Sequence, residues 1–313
     1  MKTLSSCPFC RDSNLVTAYQ QCRDYLVSGE VFSIEQCSGC GILLTNPQPE
    51  FGNEASSYYD SPDYISHTDH QRGFQGNVYL FVKRFMIRRK AAFLKKLFIG
   101  SKPRLLDVGC GTGAFMEAAQ KRGFVGEGVE VHDGARDQAQ QKGLPVYARI
   151  DELVANNNSK FDFITLWHVL EHMHDVSEAL LILNNKLKPG GFLVIAVPMH
   201  DSLDSAKYGP FWAAWDVPRH LYHFNRQSLI HICEKHGFTY HSSKGLLFDS
   251  FYVSILSEYN KMMEKQKRVK HPKIAPAARI IIVVEAFFTG LFSNLIAMTG
   301  KRPWSSEIFV FKK

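Results

Sequence analysis

The feature that most constrains this chain is the run Asp107-Val-Gly-Cys-Gly-Thr-Gly113, which stands directly behind the apolar pair Leu105-Leu106. Residues 105–108 read as a buried parallel strand, and the three glycines as a turn in which backbone can approach a ligand closely. Residues 114–122 read as the helix that follows. Such a strand, turn and helix make a pocket for a nucleotide-type cofactor.

A glycine turn alone is weakly specific, and Gly109, Gly111, Gly113 and Ala114 also approximate a dinucleotide fingerprint. Three features point elsewhere. Asp107 occupies a place two residues before the first glycine where a dinucleotide strand carries an apolar side chain. Glu130 ends the next apolar run, residues 126–129, where a carboxylate can accept ribose hydroxyls. A further strand and its exit loop span residues 161–172, and Leu187-Lys-Pro-Gly-Gly191 turns into a strand at 192–197.

In this order the motifs resemble those of the class I S-adenosylmethionine-dependent methyltransferases, over roughly residues 85–245. The resemblance implies an α/β fold: a Rossmann-like seven-stranded methyltransferase sheet, here with a small N-terminal zinc ribbon and a helical insertion before the last strand. It implies that Asp107, Gly109, Cys110, Gly111 and Gly113 hold the methionine end of S-adenosyl-L-methionine, and that Glu130 binds the ribose. Leu166, Trp167 and His168 would lie near the reacting centre. A third strand at residues 145–151 would bring Ile150, with Arg149 and Asp151, to the adenine.

With 313 residues the chain can hold one full α/β domain and something smaller. The boundaries read as a ribbon at 1–48, a linker or substrate-side segment at 49–76, and the catalytic domain at 77–313, with the insertion at about 249–300. The formal charge of +7 concentrates at residues 83–96 and 261–273, which favours an anionic or membrane-proximal acceptor over nucleic acid. No apolar leader follows Met1, so a cytoplasmic protein is expected, with membrane association left open.

In a reducing compartment, paired cysteines indicate metal rather than disulfides. Four of the seven fall as Cys7-Pro-Phe-Cys10 and Cys37-Ser-Gly-Cys40. Each pair closes a tight turn, and four thiolates suit one tetrahedral Zn2+ with no open position, hence a structural ion. The 26 residues between the pairs leave room for ribbon strands at 15–19 and 30–36. The chain resembles a methyltransferase subgroup with such a ribbon, in which a Tyr-rich stretch follows. Here that is Tyr58, Tyr59, Asp60 and Tyr64, candidates for the substrate wall.

Ligands of open α/β sheets bind outside the carboxyl ends of the strands, so the aromatic segment 211–224 is placed to close over an acceptor. Trp212, Trp215, Arg219 and Tyr222 are the candidate substrate contacts, with Arg219 able to pair either an acceptor anion or Asp216. His220, His223 and His172 are candidates for a general base, with His200 behind them. Glu171-His172 resembles the Glu-His of quinone-biosynthesis O-methyltransferases, where another Glu replaces His168.

Residues 280–298 carry one charge, Glu285, and are long enough to span a bilayer. A final strand at 307–312, returning beside residues 240–243, requires both ends of the insertion on one side. No span is therefore expected, but an apolar helical cap packed on the sheet, with peripheral membrane contact through the basic linker. The expected activity is methyl transfer to a small or glycan- or lipid-linked acceptor. A quinone-like aromatic acceptor, or a noncatalytic zinc-ribbon module for nucleic acid or a protein partner, is the rival reading.

Overall fold

The computed structural model describes residues 1–59, 74–98, 100–156, 158–266 and 276–313. Three antiparallel strands open the chain, β1 (Leu15–Arg23), β2 (Val31–Cys37) and β3 (Leu43–Asn46). The two ribbon strands expected from sequence are there, with a third beyond the second cysteine pair. Gly41 takes a positive φ of 73° directly after that pair, where its N–H donates to the Cys37 carbonyl and closes the knuckle.

After α1 (Asn53–Ser57) and α2 (Phe74–Leu97) the larger unit begins. It runs β4 (Arg104–Val108), α3 (Ala114–Gln120), β5 (Val125–Val129), α4 (Asp133–Gln141), β6 (Val146–Tyr147), α5 (Ile150–Asn156), β7 (Phe161–Trp167), α6 (Val176–Lys186) and β8 (Leu187–Pro198). There follow α7 (Leu203–Tyr208), β9 (Tyr222–His223), α8 (Arg226–Lys235), β10 (Thr239–Gly245), α9 (Asp249–Lys265), α10 (Pro276–Met298) and β11 (Ser306–Lys312).

The large sheet has seven strands in the order β10-β11-β8-β7-β4-β5-β6. β4 lies parallel between β5 and β7, while β11 runs antiparallel to both its neighbours, as expected for the returning last strand. Leu105 and Leu106 are both fully buried, because helices cover both faces. Ala91 and Leu94 of α2 with Phe115 and Ala119 of α3 pack one side. Leu153 of α5, Leu180 of α6 and Leu229 of α8 belong to the core on the other.

The expected third strand shrinks to two residues, since Ile150 and Asp151 open a helix instead. Asp151 accepts from the exposed Arg149 two residues back, a local ion pair that holds both side chains at the surface. Gly190 and Gly191 do not precede β8 but lie within its span.

Sequence reading sets the ribbon apart from the sheet domain; in the structure the two share elements. β3 pairs with β9, which comes from the aromatic segment, so the small sheet has the order β1-β2-β3-β9. Ser293 and Asn294 lie inside α10. Nor is α10 a buried cap, because a row of its large apolar side chains faces outward.

Candidate active site

The glycine turn sits between β4 and α3, at the carboxyl edge of the sheet. Gly109, Gly111 and Gly113 all have positive φ, but for different reasons. A Cβ on Gly109 would stand 2.4 Å from Val169 Cγ2, and one on Gly113 would stand 2.2 Å from Leu144 Cδ1. One on Gly111 would meet nothing within 4 Å. Packing therefore excludes side chains at the outer two glycines, whereas the middle one borders open space. Cys110 presents backbone only; its thiol is buried and lies 3.8 Å from the Gly111 carbonyl, in a cluster with Met116 and Leu144.

Glu130 follows β5 directly and is 6% exposed. Its carboxylate accepts from the Gly111 N–H at 2.8 Å and from the His132 N–H at 2.9 Å, fixing it beside the turn. Asp107, one residue before the end of β4, lies beside the same turn, where Thr165 Oγ1 donates to it at 2.6 Å. Burial pushes the Asp107 carboxyl up to about 7, partly offset by that hydroxyl and by Lys90. The N–H groups of Gly109 and Cys110 donate to the Val129 carbonyl and that of Gly111 to Glu130, so what the turn offers the ribose and methionine ends of S-adenosylmethionine is the open face at Gly111 and the fixed carboxylate. Leu166 is core; Trp167, beside it, packs edge-on to Phe115 and carries Lys90 Nζ 4.5 Å from its ring centroid.

His168 has φ 58°, an uncommon conformation for a residue with a side chain, just past the end of β7. Its Nδ1 stands 3.5 Å from Glu171 and its Nε2 3.3 Å from Asp249 at the start of α9. Burial opposes charge there, but the two carboxylates push His168 up to about 9. Burial would likewise raise Asp249, yet His168 and Lys90 hold it below the usual range. Sequence reasoning missed Lys90 and Asp249. No local motif marks either: Lys90 lies on α2 ahead of the first motif, and Asp249 opens α9 after the last.

Glu171 is 1% exposed and neither of its carboxylate oxygens has a hydrogen-bond partner among the described residues. One oxygen lies 4.0 Å from His220 Nε2. His220 Nδ1 is 2.9 Å from the Ala214 carbonyl, which assigns the proton to Nδ1 and leaves Nε2 facing Glu171 and Asp216. The His172 ring stands edge-on to His220 at 4.5 Å. His172 Nδ1 is within 3.0 Å of both the Arg219 carbonyl and the Tyr59 hydroxyl. Burial and the neighbouring His220 push His172 down to about 4, so it is neutral at pH 7 and a weak base.

Several expected acceptor contacts lie elsewhere. Trp212 and Trp215 are each 2% exposed and belong to the core that joins the ribbon to the segment at 208–217. Their indole N–H groups donate to Asp204 and to the Gly209 carbonyl, so neither is free to wall an acceptor. Arg219 is buried and donates to Asp24, Asp216 and the Tyr58 carbonyl, which makes it an internal clamp. Tyr222 donates to the His174 carbonyl from within β9. His223 lies 3.0 Å from the Thr45 hydroxyl, which itself donates to the His220 carbonyl. His223 Nε2 is thus a donor, and burial pushes its pKa well down. His200, on the strand edge beyond β8, is pushed down to about 4 by burial. Tyr58 hydrogen-bonds Glu30, while Asp60 and Tyr64 lie outside the described residues.

At the ribbon, the sulfurs of Cys7, Cys10, Cys37 and Cys40 all lie within 4.8 Å of one another. Cys7 and Cys40 are 3.6 Å apart and Cys10 and Cys37 3.3 Å, close to the ~3.8 Å edge that a tetrahedron of ~2.3 Å metal–sulfur bonds requires. The hydrogen bond from Cys40, against burial, brings the Cys7 thiol down to about 5, while Cys40 itself is raised. The quartet fits a closed zinc site.

The model of a family described as "Methyltransferase domain" matches residues 81–243, just over half of the chain. The ubiquinone biosynthesis O-methyltransferase of Saccharophagus degradans is 30% identical over 98 residues, which cover 29% of this chain and 42% of that protein. The same enzyme of Coxiella burnetii is 34% identical over 95 residues, 28% of this chain and 41% of its own length. The chain thus spans about two fifths of the curated relatives it matches. Among solved structures, a SAM-dependent methyltransferase from Archaeoglobus fulgidus aligns with 74% of this chain and 94% of its own, at 19% identity and TM-score 0.47. A Haemonchus contortus phosphoethanolamine N-methyltransferase 2, solved with S-adenosyl-L-methionine, aligns with 87% of this chain and 62% of its own, at 17% identity and TM-score 0.49.

Proposed function

From the premise that this chain belongs to the methyltransferase-domain family, we propose that it moves a methyl group from S-adenosylmethionine to a hydroxyl of a small acceptor, sugar- or lipid-linked. The observation that carries the reading is the cradle at Gly111: a positive-φ glycine whose missing side chain faces open space, with the Glu130 carboxylate held against its N–H. When bound, the cofactor supplies a methyl group on a positively charged sulfur, a strong electrophile that asks the protein mainly for alignment. Glu130 would accept the ribose hydroxyls, and the backbone of Gly109, Cys110 and Gly111 would receive the rest. The adenine role of Ile150 stays with this reading, at the start of α5 rather than on a strand.

His220 would take the acceptor's proton at Nε2, the ring atom left open when Nδ1 donates to Ala214. His168, held cationic by Asp249 and Glu171, would orient the acceptor rather than accept a proton. With Arg219 sequestered, a preference for an anionic acceptor loses its principal candidate. The cysteine quartet would hold a structural zinc, which suits a reducing, cytoplasmic compartment. A quinone-like aromatic acceptor is the second reading, favoured by the names of the curated relatives.

Isothermal titration with S-adenosylhomocysteine tests the core of this reading. Binding by the wild type, lost in Glu130→Ala, is expected. A wild type that binds none would remove the methyltransferase proposal and leave the noncatalytic module, which salt-dependent binding to generic DNA or RNA would then examine.

A further inference from the structure

The hairpin of α9 and α10 has its polarity reversed relative to a helix pair in water. Small and polar groups fill the seam where it packs. Ser250, Ser254 and Ser257 of α9 are fully buried, as is Ser293 of α10, with Thr289 and Asn294 nearly so. Ser250 Oγ is 3.0 Å from Asn294 Oδ1 and 3.2 Å from the Gly290 carbonyl. Ser293 donates to the buried Asp204 in α7, and Thr289 bonds Lys207. A Cβ on Gly290 would stand 2.6 Å from the Phe251 ring, so the helices approach as closely as glycine permits. Small residues and hydroxyl bonds between helices, with large apolar residues outside, are how helices pack in lipid.

The outward face of α10 completes that pattern. Ile280, Val284, Phe287, Phe288, Phe292 and Leu295 are each between 46% and 66% exposed, recurring at helical spacing along one side. Residues 279–298 have a mean hydropathy of 2.1, long and apolar enough to cross a membrane by composition alone. A contiguous apolar strip of this kind marks an interaction surface.

A crossing is ruled out by how the hairpin is tied down. α9 is anchored to the ribbon, with Glu264 accepting from Arg23 and Tyr25, and to the aromatic segment through Ser257 and the Ala213 N–H. α10 packs against α7 and α9, which ties it to the same body. The geometry leaves it lying on a surface, apolar face down.

The surroundings of the strip say which surface. Arg279 stands exposed at its start, and Lys301 and Arg302 just beyond its end. Past Asn294, which donates to the Leu247 carbonyl, Phe248 meets Phe85 of α2 edge-on. Arg88 and Arg89 follow Phe85 by one helical turn and are exposed as well. An apolar face with cations at both ends and Glu285 as the one exposed acid of α10 complements an anionic lipid headgroup layer over a hydrocarbon interior.

We propose that this protein binds anionic membrane surfaces through α10, which lies in the plane of the bilayer with Phe287, Phe288, Phe292 and Leu295 in the headgroup–acyl boundary. The proposal does not rest on methyl transfer, and its test needs neither cofactor nor acceptor. The full chain is mixed with vesicles of phosphatidylglycerol and phosphatidylcholine, or of phosphatidylcholine alone, and floated through a density gradient. Wild type is expected to float with both, about tenfold or more strongly with the anionic vesicles. Phe288→Gln with Phe292→Gln and Leu295→Gln should weaken flotation on both by about 100-fold, with an unchanged melting temperature showing that the fold persists. Arg279→Glu with Lys301→Glu should weaken only the anionic binding. Failure of the wild type to float, or flotation indifferent to the α10 substitutions, overturns the proposal. So does a wild-type dimer in light scattering that those substitutions dissolve while no vesicle is bound, which would assign the face to a second copy of the chain.

Discussion

Replacing Gly111 with alanine separates ligand space from packing, because its added Cβ meets no protein atom within 4 Å. The cost to the fold is then conformational alone. A φ of 54° places the residue in the left-handed region, where a Cβ costs about 1–2 kcal/mol. For a domain of this size that lowers the melting temperature by roughly 2–8 °C, leaving the protein folded at 25 °C. The methyl group enters the space assigned to the cofactor, so affinity for S-adenosylhomocysteine should fall by ~100-fold or more, about 2.7 kcal/mol. Gly113→Ala is the control. Its Cβ would lie 2.2 Å from Leu144 and 3.3 Å from Ala139, adding an overpacking cost of about 1–3 kcal/mol to a similar backbone strain. The larger loss of stability therefore belongs to Gly113→Ala, read by thermal unfolding, and a ligand loss out of proportion to stability belongs to Gly111→Ala, read by titration calorimetry. Retention of affinity within twofold in Gly111→Ala would refute the reasoning, since the open side of the turn would then not be where the ligand lies.

Cys37→Ser should release the bound metal, measured by elemental analysis, and raise hydrogen exchange in β1 to β3; metal-free wild type prepared without chelator would contradict this. Arg219→Ala leaves the fully buried Asp24 without its cation and should destabilise by about 3–5 kcal/mol, visible in denaturant midpoint. A change in catalysis with intact stability would restore Arg219 to the acceptor. His220→Ala should lower turnover by ~10²–10⁴ with S-adenosylhomocysteine affinity kept within a few-fold, and equal turnover would retire it as a base. His168 has its pKa raised from 6.5 to about 9, so the stability it contributes is full below 6.5 and lost as pH rises through 9. The melting-temperature gap between wild type and His168→Gln should therefore close over that range, and a gap independent of pH would show that the imidazolium pairs are not the cause.

The strand, turn and carboxylate proposed to hold the cofactor were legible as structure because their signals are local. A parallel strand needs continuous burial, a turn with an open face needs positive φ, and a carboxylate beside that turn needs only to end the neighbouring strand. Each leaves a mark within a few residues, as at Leu105, Gly111 and Glu130. The weak point was residues 145–151, where no glycine breaks the run and the acidic side chains read equally as a strand exit or as the first turn of a helix. Asp151 and Glu152 in the first turn of α5 favour the helix, since negative charge there meets the positive end of the dipole.

The acceptor side was misread at Trp212, Trp215 and Arg219 because composition does not distinguish a wall facing a ligand from a core facing another domain. Both are aromatic, with a few oriented polar groups. What decides between them is β9: residues 222–223 extend the ribbon's sheet, at a sequence distance of about 180 residues from β3, and this draws the segment before them under the ribbon. Arg219 meets Asp24 across a similar separation, an ion pair no window on the sequence can display. The same long-range closure brings Asp249, at the head of the insertion, to His168, and Tyr59, from the far side of the ribbon, to His172. Around the proposed acceptor site, Asp249 and Tyr59 are thus supplied by the two parts of the chain that the methyltransferase motifs do not include. Acceptor choice is accordingly expected to follow the ribbon and the insertion, and cofactor choice the sheet.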